Sequence, residues 1–196
     1  GQFFNDPESS VGLIDWLDLN LLQFKSGVKF WVHQNLKEIF FHFSKIKNPD
    51  ENTIKNYLKN INQTKILSVV NKGPFGVDGI NQICIDEILS LVHLKEENNY
   101  FHGMPIQILR NNDKIELYNG DVGVIIKDEH NSFRAVFTSE KGLKTFTIDT
   151  IPSFQPAYAT TIHKSQGSEY NHVLLVIPQD APEMLITKQL LYTGIS

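Results

Sequence analysis

The chain has 196 residues, 41% of them hydrophobic and 20% charged, with 13 Phe, six Tyr and a formal net charge of -4. That supply of apolar material suffices for a large buried core and excludes a disordered polyelectrolyte, while the lone Cys84 excludes an internal disulfide and a thiolate zinc site. No run approaches the roughly eighteen apolar residues of a membrane-spanning helix, and the N-terminus lacks a signal-peptide pattern, so the expectation is a soluble, cytoplasmic protein.

Charge is spread thinly along the chain. Arg110 and Arg134 are the only arginines among the 18 basic residues, and no block forms a basic stripe of the kind that tracks a phosphate backbone. Composition alone therefore argues against an extended nucleic-acid surface. Any such contact has to be local.

From Val11 to about Ile61 the apolar residues recur at helical spacing. Leu13, Ile14, Leu17, Leu21 and Leu22 form one series, and Trp31, Val32, Leu36, Ile39, Phe40 and Phe43 a second. A buried helix face explains this aromatic stripe, and His33 and His42 lie too far apart in helical phase to form a metal-ligand pair. Pro49-Asp50 marks a turn, and Asp50 or Asn52 is placed to cap a third helix through Ile54, Tyr57, Leu58 and Ile61.

Lys65–Val70 is a short apolar run that reads as a buried strand of a parallel sheet. The turn-rich stretch Asn71-Lys72-Gly73-Pro74-Phe75-Gly76-Val77-Asp78-Gly79 follows, then a helix through Ile80, Ile83, Cys84, Ile88, Leu91 and Val92. Strand, glycine-rich turn and helix are the ingredients of a ligand-facing loop at a sheet edge, although by themselves they describe a tight turn equally well. From Gly103 to Pro152 the period changes to two. Strands are expected at 104–109, 121–126, 133–137 and 144–148, with turns at Asn111-Asn112-Asp113, Asn119-Gly120-Asp121, Glu129-His130-Asn131 and Lys141-Gly142. Strands at this spacing predict a small antiparallel β-barrel inserted into an α/β pattern. That pattern resumes with an extended segment at 157–161, a loop or helical turn at 163–169, a buried strand at 173–177 and a last helix from Pro182 or Glu183 through Leu191.

The chemistry concentrates in Thr160-Thr161-Ile162-His163-Lys164-Ser165-Gln166-Gly167-Ser168-Glu169-Tyr170. Nearly every position is polar or glycine, yet the stretch lies between two strand-like runs inside the domain. Polar groups there are costly unless solvent or a ligand meets them. Hydroxyl, imidazole, amide and ammonium donors suit phosphate and sugar oxygens, Gly167 allows close backbone approach, and Glu169 can accept a ribose hydroxyl. His163, Ser165 and Glu169 have the residue types of a hydrolase triad, but no nucleophile-elbow glycines surround the serine. A polar surface turn has the same composition.

Thr161–Tyr170 resembles motif V of superfamily 1 DNA helicases, most closely the alpha subunit of exodeoxyribonuclease V, the RecD helicases. Leu190–Ser196 resembles the opening of their motif VI, and Lys72–Asn81 their motif IV region; the ordered set spans about Ile66 to Ser196. The resemblance implies an α/β fold, a second motor domain with a RecA-like parallel sheet flanked by helices. Residues 1–102 would hold its first part, 103–152 the inserted barrel, and 153–196 the remainder. In such motors ATP sits between two RecA-like domains and single-stranded DNA crosses both. Carried over, Thr161, His163 and Lys164 would face DNA, Gln166 and Gly167 would lie near the γ-phosphate, and Glu169 would serve the nucleotide sugar. Lys72 would stand at the nucleotide cleft, and Tyr192 and Thr193 on the interdomain side of the last helix.

The chain has no G-x-x-x-x-G-K-[ST] phosphate loop, so Mg²⁺ would be held by another motor domain. The family's motif VI arginine is expected just beyond Ser196, and such a group contributes roughly 10³–10⁵ in rate in related phosphoryl transfer. This chain alone is therefore expected to be inactive. The partners implied are single-stranded DNA, the first motor domain, and beta and gamma subunits of the nuclease. Two alternatives stay open: the same domain from a single-subunit helicase, or a non-catalytic protein-interaction module.

Overall fold

The computed structural model describes residues 20–178. The expected helical positions 11–17, the last helix from Pro182, the motif VI opening, Tyr192 and Thr193 lie outside the described residues.

Three helices open the described chain. α1 (Leu21–Asn35) starts at a reciprocal cap: the Asn20 side chain accepts from Gln23 N at 3.0 Å, and Gln23 Oε1 accepts from Asn20 N at 3.1 Å. It buries Phe24, Val28 and Val32, one residue per turn on a single stripe. α2 (Lys37–Phe43) adds Phe40 and Phe43 to the core. α3 (Glu51–Asn62) is capped by Asp50, which accepts from Thr53 N at 2.8 Å, and buries Ile54, Tyr57, Leu58 and Ile61 as the spacing predicts. The backbone and side-chain hydrogen bonds from Thr53 hold the Asp50 carboxyl below its ordinary range.

β1 (Thr64–Ser68) is buried at every position and is the middle strand of a three-stranded parallel sheet. Its neighbours are β7 (Ala159–Thr161) and β8 (His172–Val176), with Ile66 opposite Ala159 on one side and Leu174 on the other. Burial on both faces selects the unbroken apolar run Ile66-Leu67. β8 is less buried than its Val-Leu-Leu-Val sequence predicts: His172 is exposed, positions 173–175 are half-buried, and only Val176 is buried. As an edge strand among the described residues, it has a neighbour on one side only. α4 (Val77–Val92) follows β1 and packs on the sheet, with Asn81 Oδ1 accepting from Ala159 N at 2.9 Å to fix helix against strand.

Between α4 and β7 the chain forms a separate antiparallel sheet. Its strands are β2 (Met104–Ile108), β3 (Val122–Lys127), β4 (Phe133–Ser139), β5 (Gly142–Thr147) and β6 (Phe154–Pro156), in the order β5-β4-β3-β2-β6. β6 is an addition to the expected strands; at three residues it is too short to show a period of two. The ladder is open among the described residues, with β5 and β6 at its two edges, where the sequence predicts a closed barrel. Alternation fixes which face of each strand is buried but not whether the first and last strands meet.

One buried cluster ties the helices to this second sheet. Phe43 stacks on Tyr57 with ring centroids 4.0 Å apart and on His102 at 5.4 Å, and the Tyr57 hydroxyl donates to Gly103 O at 2.5 Å. No described helix is long and apolar enough to cross a membrane.

Candidate functional site: a polar loop at the carboxyl end of the parallel sheet

Two loops leave the same end of the parallel sheet. Ser68, the last residue of β1, is in register with Thr161, the last residue of β7. The glycine-rich turn begins beyond the first and the polar segment beyond the second. In open α/β sheets, ligands gather at the carboxyl ends of strands.

The glycine-rich turn is pinned back onto β1. Ser68 Oγ donates to Phe75 O at 3.0 Å and accepts from Val70 N at 3.2 Å, while Val77 N and Asp78 N donate to Val70 O and Asn71 O. A side chain at Gly76 would collide with the Lys72 backbone. A Cβ on Gly79 would sit 2.5 Å from Gly73 O and 2.8 Å from Pro74 O, so close packing accounts for both glycines. Lys72 is 88% exposed and lies 3.5 Å from Asp78, a screened surface pair.

The polar segment divides by burial. Thr160, Thr161, Ile162 and Ser165 are buried, whereas His163, Lys164, Gln166, Gly167, Ser168 and Glu169 are exposed. The sequence reading places the whole stretch in the interior; the structure instead turns it outward through a 3-10 turn (Ile162–Ser165) anchored by Ser165 Oγ donating to Ile162 O at 2.7 Å. Most of its polar groups therefore face solvent, and the expected desolvation cost is confined to Thr160, Thr161 and Ser165, the last of them satisfied by Ile162 O. Gly167 has φ +78, the left-handed region that lets the loop reverse after the 3-10 turn.

The candidate residues fall into four places, Thr161 being buried at the carboxyl end of β7. Lys164 and Glu169 line a cleft of about 640 Å³ between the two sheets, together with Lys65, Thr160 and Gln107. His163, Gln166 and Gly167 lie on the same loop outside that lining, and Lys72 stands in the other loop.

Sequence reasoning gave Lys65 no functional role. It sits in the middle strand at 6% exposure, its Nζ donating to Ala157 O at 2.5 Å, and burial pushes its pKa from 10.5 down to about 7. A lysine directly before the buried apolar pair Ile66-Leu67 was the available signal. Among the described residues no group of His, Cys, Asp and Glu is arranged to hold a metal ion, and burial pushes the Cys84 thiol well up, away from reactivity.

This geometry, a parallel sheet with two loops at its carboxyl edge, is accompanied by a family match: residues 156–196 match the UvrD-like helicase C-terminal domain. The match starts just before β7 and takes in the whole polar segment.

More particularly, the sequence is similar to RecD subunits of the RecBCD enzyme. It is 28% identical to that of Buchnera aphidicola subsp. Schizaphis graminum across 96% of this chain and 31% of the relative. It is 30% identical to that of Haemophilus influenzae across 69% of this chain and 20% of the relative. This similarity agrees with the resemblance read from residues 161–170, and the chain spans about a fifth to a third of the length of these curated relatives. Among solved structures, the Pif1 helicase from Bacteroides in complex with ADP-AlF3 and single-stranded DNA is similar at a TM-score of 0.41 and 15% identity, covering 89% of this chain and 46% of that one.

Proposed function

We propose that this chain is the C-terminal motor region of an ATP-dependent helicase that moves 5′ to 3′ along single-stranded DNA, as a RecD-type subunit of an exodeoxyribonuclease V recombination-repair complex in the cytoplasm. The observation that carries the reading is the loop 160–170: it leaves the carboxyl end of β7 beside the turn that leaves β1, and it keeps the donors of His163, Lys164 and Gln166 exposed. RecD similarity over most of the chain supports the same assignment.

In this reading the fold is RecA-like and the region supplies half of an ATP cleft, the other half coming from a first motor domain. Gln166 and Gly167 approach the γ-phosphate, where an exposed amide and a loop with no neighbour within 4 Å of a Gly167 Cβ leave room for it. The Glu169 carboxylate accepts from a sugar hydroxyl, and Lys72 lies at the cleft margin. Thr161, His163 and Lys164 serve the DNA strand. Mg²⁺ is held by residues of the first motor domain. Beta- and gamma-type subunits complete the nuclease. ATP binding and release shift the domain along the strand because the two states differ in affinity for nucleotide and DNA.

The test is ATP hydrolysis by the full-length protein, with and without a single-stranded oligonucleotide, for wild type and Gln166→Ala. Turnover stimulated by DNA and abolished in the variant is the expected result. A folded protein that hydrolyses no ATP with its partner subunits present would overturn the motor reading in favour of an interaction module.

A further inference from the structure

The cleft between the sheets holds polar groups for which the motor reading has no use. Lys65 on β1 and Thr160 on β7 are each 6% exposed, and Gln107 enters from β2 on the opposite wall. Lys65 Nζ has one acceptor, Ala157 O, although an amine of this kind carries further donors. Thr160 Oγ1 and Gln107 Oε1 are shielded from solvent, and neither has a hydrogen-bond partner among the described residues. The Gln107 amide is oriented by Nε2, which lies 3.5 Å from Gly120 O. Buried donors and acceptors left unmade are costly, so a cleft that collects them on facing walls is shaped for a polar guest.

The rim differs in character from the floor. Lys144 is held by Glu116 at 2.5 Å, but among the described residues Lys59 and Lys164 enter no ion pair. Tyr170 supplies an aromatic wall. A bare anion would meet the Gln107 carbonyl oxygen as well as the donors. A nucleobase edge offers acceptors and donors side by side, which matches an amine, an amide oxygen and a hydroxyl that does either. Burial holds the Lys65 amine at about 7, so a large share is uncharged at neutral pH, and that suits a neutral base edge. The volume of about 640 Å³ accommodates a ligand of nucleotide size.

The geometry points to a base pocket: one nucleotide of the bound single strand lodges its base between the two sheets against Lys65, Thr160 and Gln107, and its flanking phosphates rest on Lys59 and Lys164. This inference rests on the single-strand binding proposed above.

Fluorescence anisotropy at fixed salt tests it, comparing an oligo-thymidine with an abasic strand of the same length on the full-length protein. Wild type should prefer the base-bearing strand. Thr160→Val and Gln107→Leu should each reduce that preference by about fivefold, the equivalent of one hydrogen bond, and leave the abasic affinity unchanged. Lys164→Ala should weaken both strands alike and lower the salt slope by about one. A preference identical in wild type and both pocket variants would overturn the pocket while leaving strand binding intact. No binding to either strand would overturn single-strand binding itself, and the pocket with it.

Discussion

Replacing Lys65 with Met separates the cost of burying an amine from the value of its hydrogen bond. The methionine stem keeps the packing of the lysine methylenes in β1 and removes the titrating group. Burial lowers the Lys65 pKa from 10.5 to about 7. In the unfolded chain the amine therefore stays protonated where the folded one has lost its proton. The unfolded state binds more protons between those two values, so wild-type stability rises with pH across that window, at up to about 1.4 kcal/mol per pH unit. Over the full displacement about 5 kcal/mol of stability depends on this one proton. Below pH 7 both states are protonated and the contribution is lost. Met also leaves Ala157 O without its donor, a penalty of about 1–3 kcal/mol that does not vary with pH. The assay is urea unfolding at pH 7 and 8 at constant ionic strength, largely below the range where the buried Cys84 and the buried tyrosines oppose the trend. Wild type should gain about 1 kcal/mol between the two conditions and the variant almost nothing. Equal slopes would refute the claim that the Lys65 amine is desolvated in the folded protein.

Two glycines in helices should respond to alanine with opposite signs. Gly27→Ala in α1 has open space around the new Cβ and should stabilise by about 0.5–1 kcal/mol, whereas Gly79→Ala in α4 drives a Cβ against Gly73 O and Pro74 O and should destabilise by about 1–3 kcal/mol; thermal unfolding reads both, and a stabilising Gly79→Ala would contradict the packing of the turn. His102 is the acid-sensitive joint between the helices and the antiparallel sheet, its Nδ1 accepting from Lys127 N at 3.1 Å. Burial, the largest influence, lowers its pKa below 6.5, so stability present above that value is lost as pH falls from about 6.5 through the lower folded value. His102→Asn, which keeps an acceptor and cannot titrate, should flatten the decline in Tm between pH 7 and 5.5; an unchanged decline would exclude His102 as its source.

Much of the architecture was legible because local chemistry and final structure agree. Asp50 before Ile54-Tyr57-Leu58-Ile61 contains both the cap and the buried stripe of α3. The apolar run at 65–70 predicts a parallel strand, and β1 pairs in parallel on both sides. Asn131 and Gly142 adopt positive φ at two of the turns read from composition. The capping box at Asn20 and Gln23 and the short strand β6 escaped notice; the first uses Asn and Gln in place of the commoner Ser or Thr and Glu, and the second is too short to carry a period. The expected barrel depended on a pairing between first and last strands that no local pattern encodes.

For the site, the residue types and order of 160–170 identified the loop and its relatives, since donor chemistry and motif spacing are properties of contiguous sequence. Which members of that loop face water was decided by the 3-10 turn that lifts His163, Lys164 and Gln166 outward while Thr160 and Thr161 stay in the sheet. Local sequence was enough to give the α/β class, the strand that centres the parallel sheet and the position of the polar loop beyond β7. That Lys65, Gln107 and Thr160, more than forty positions apart along the chain from one to the next, share one cleft follows from the packing of the two sheets. The physical reason is that burial and hydrogen-bond satisfaction depend on which faces of two separate sheets meet, and that meeting is set by packing across the whole core and not by any local run of residues.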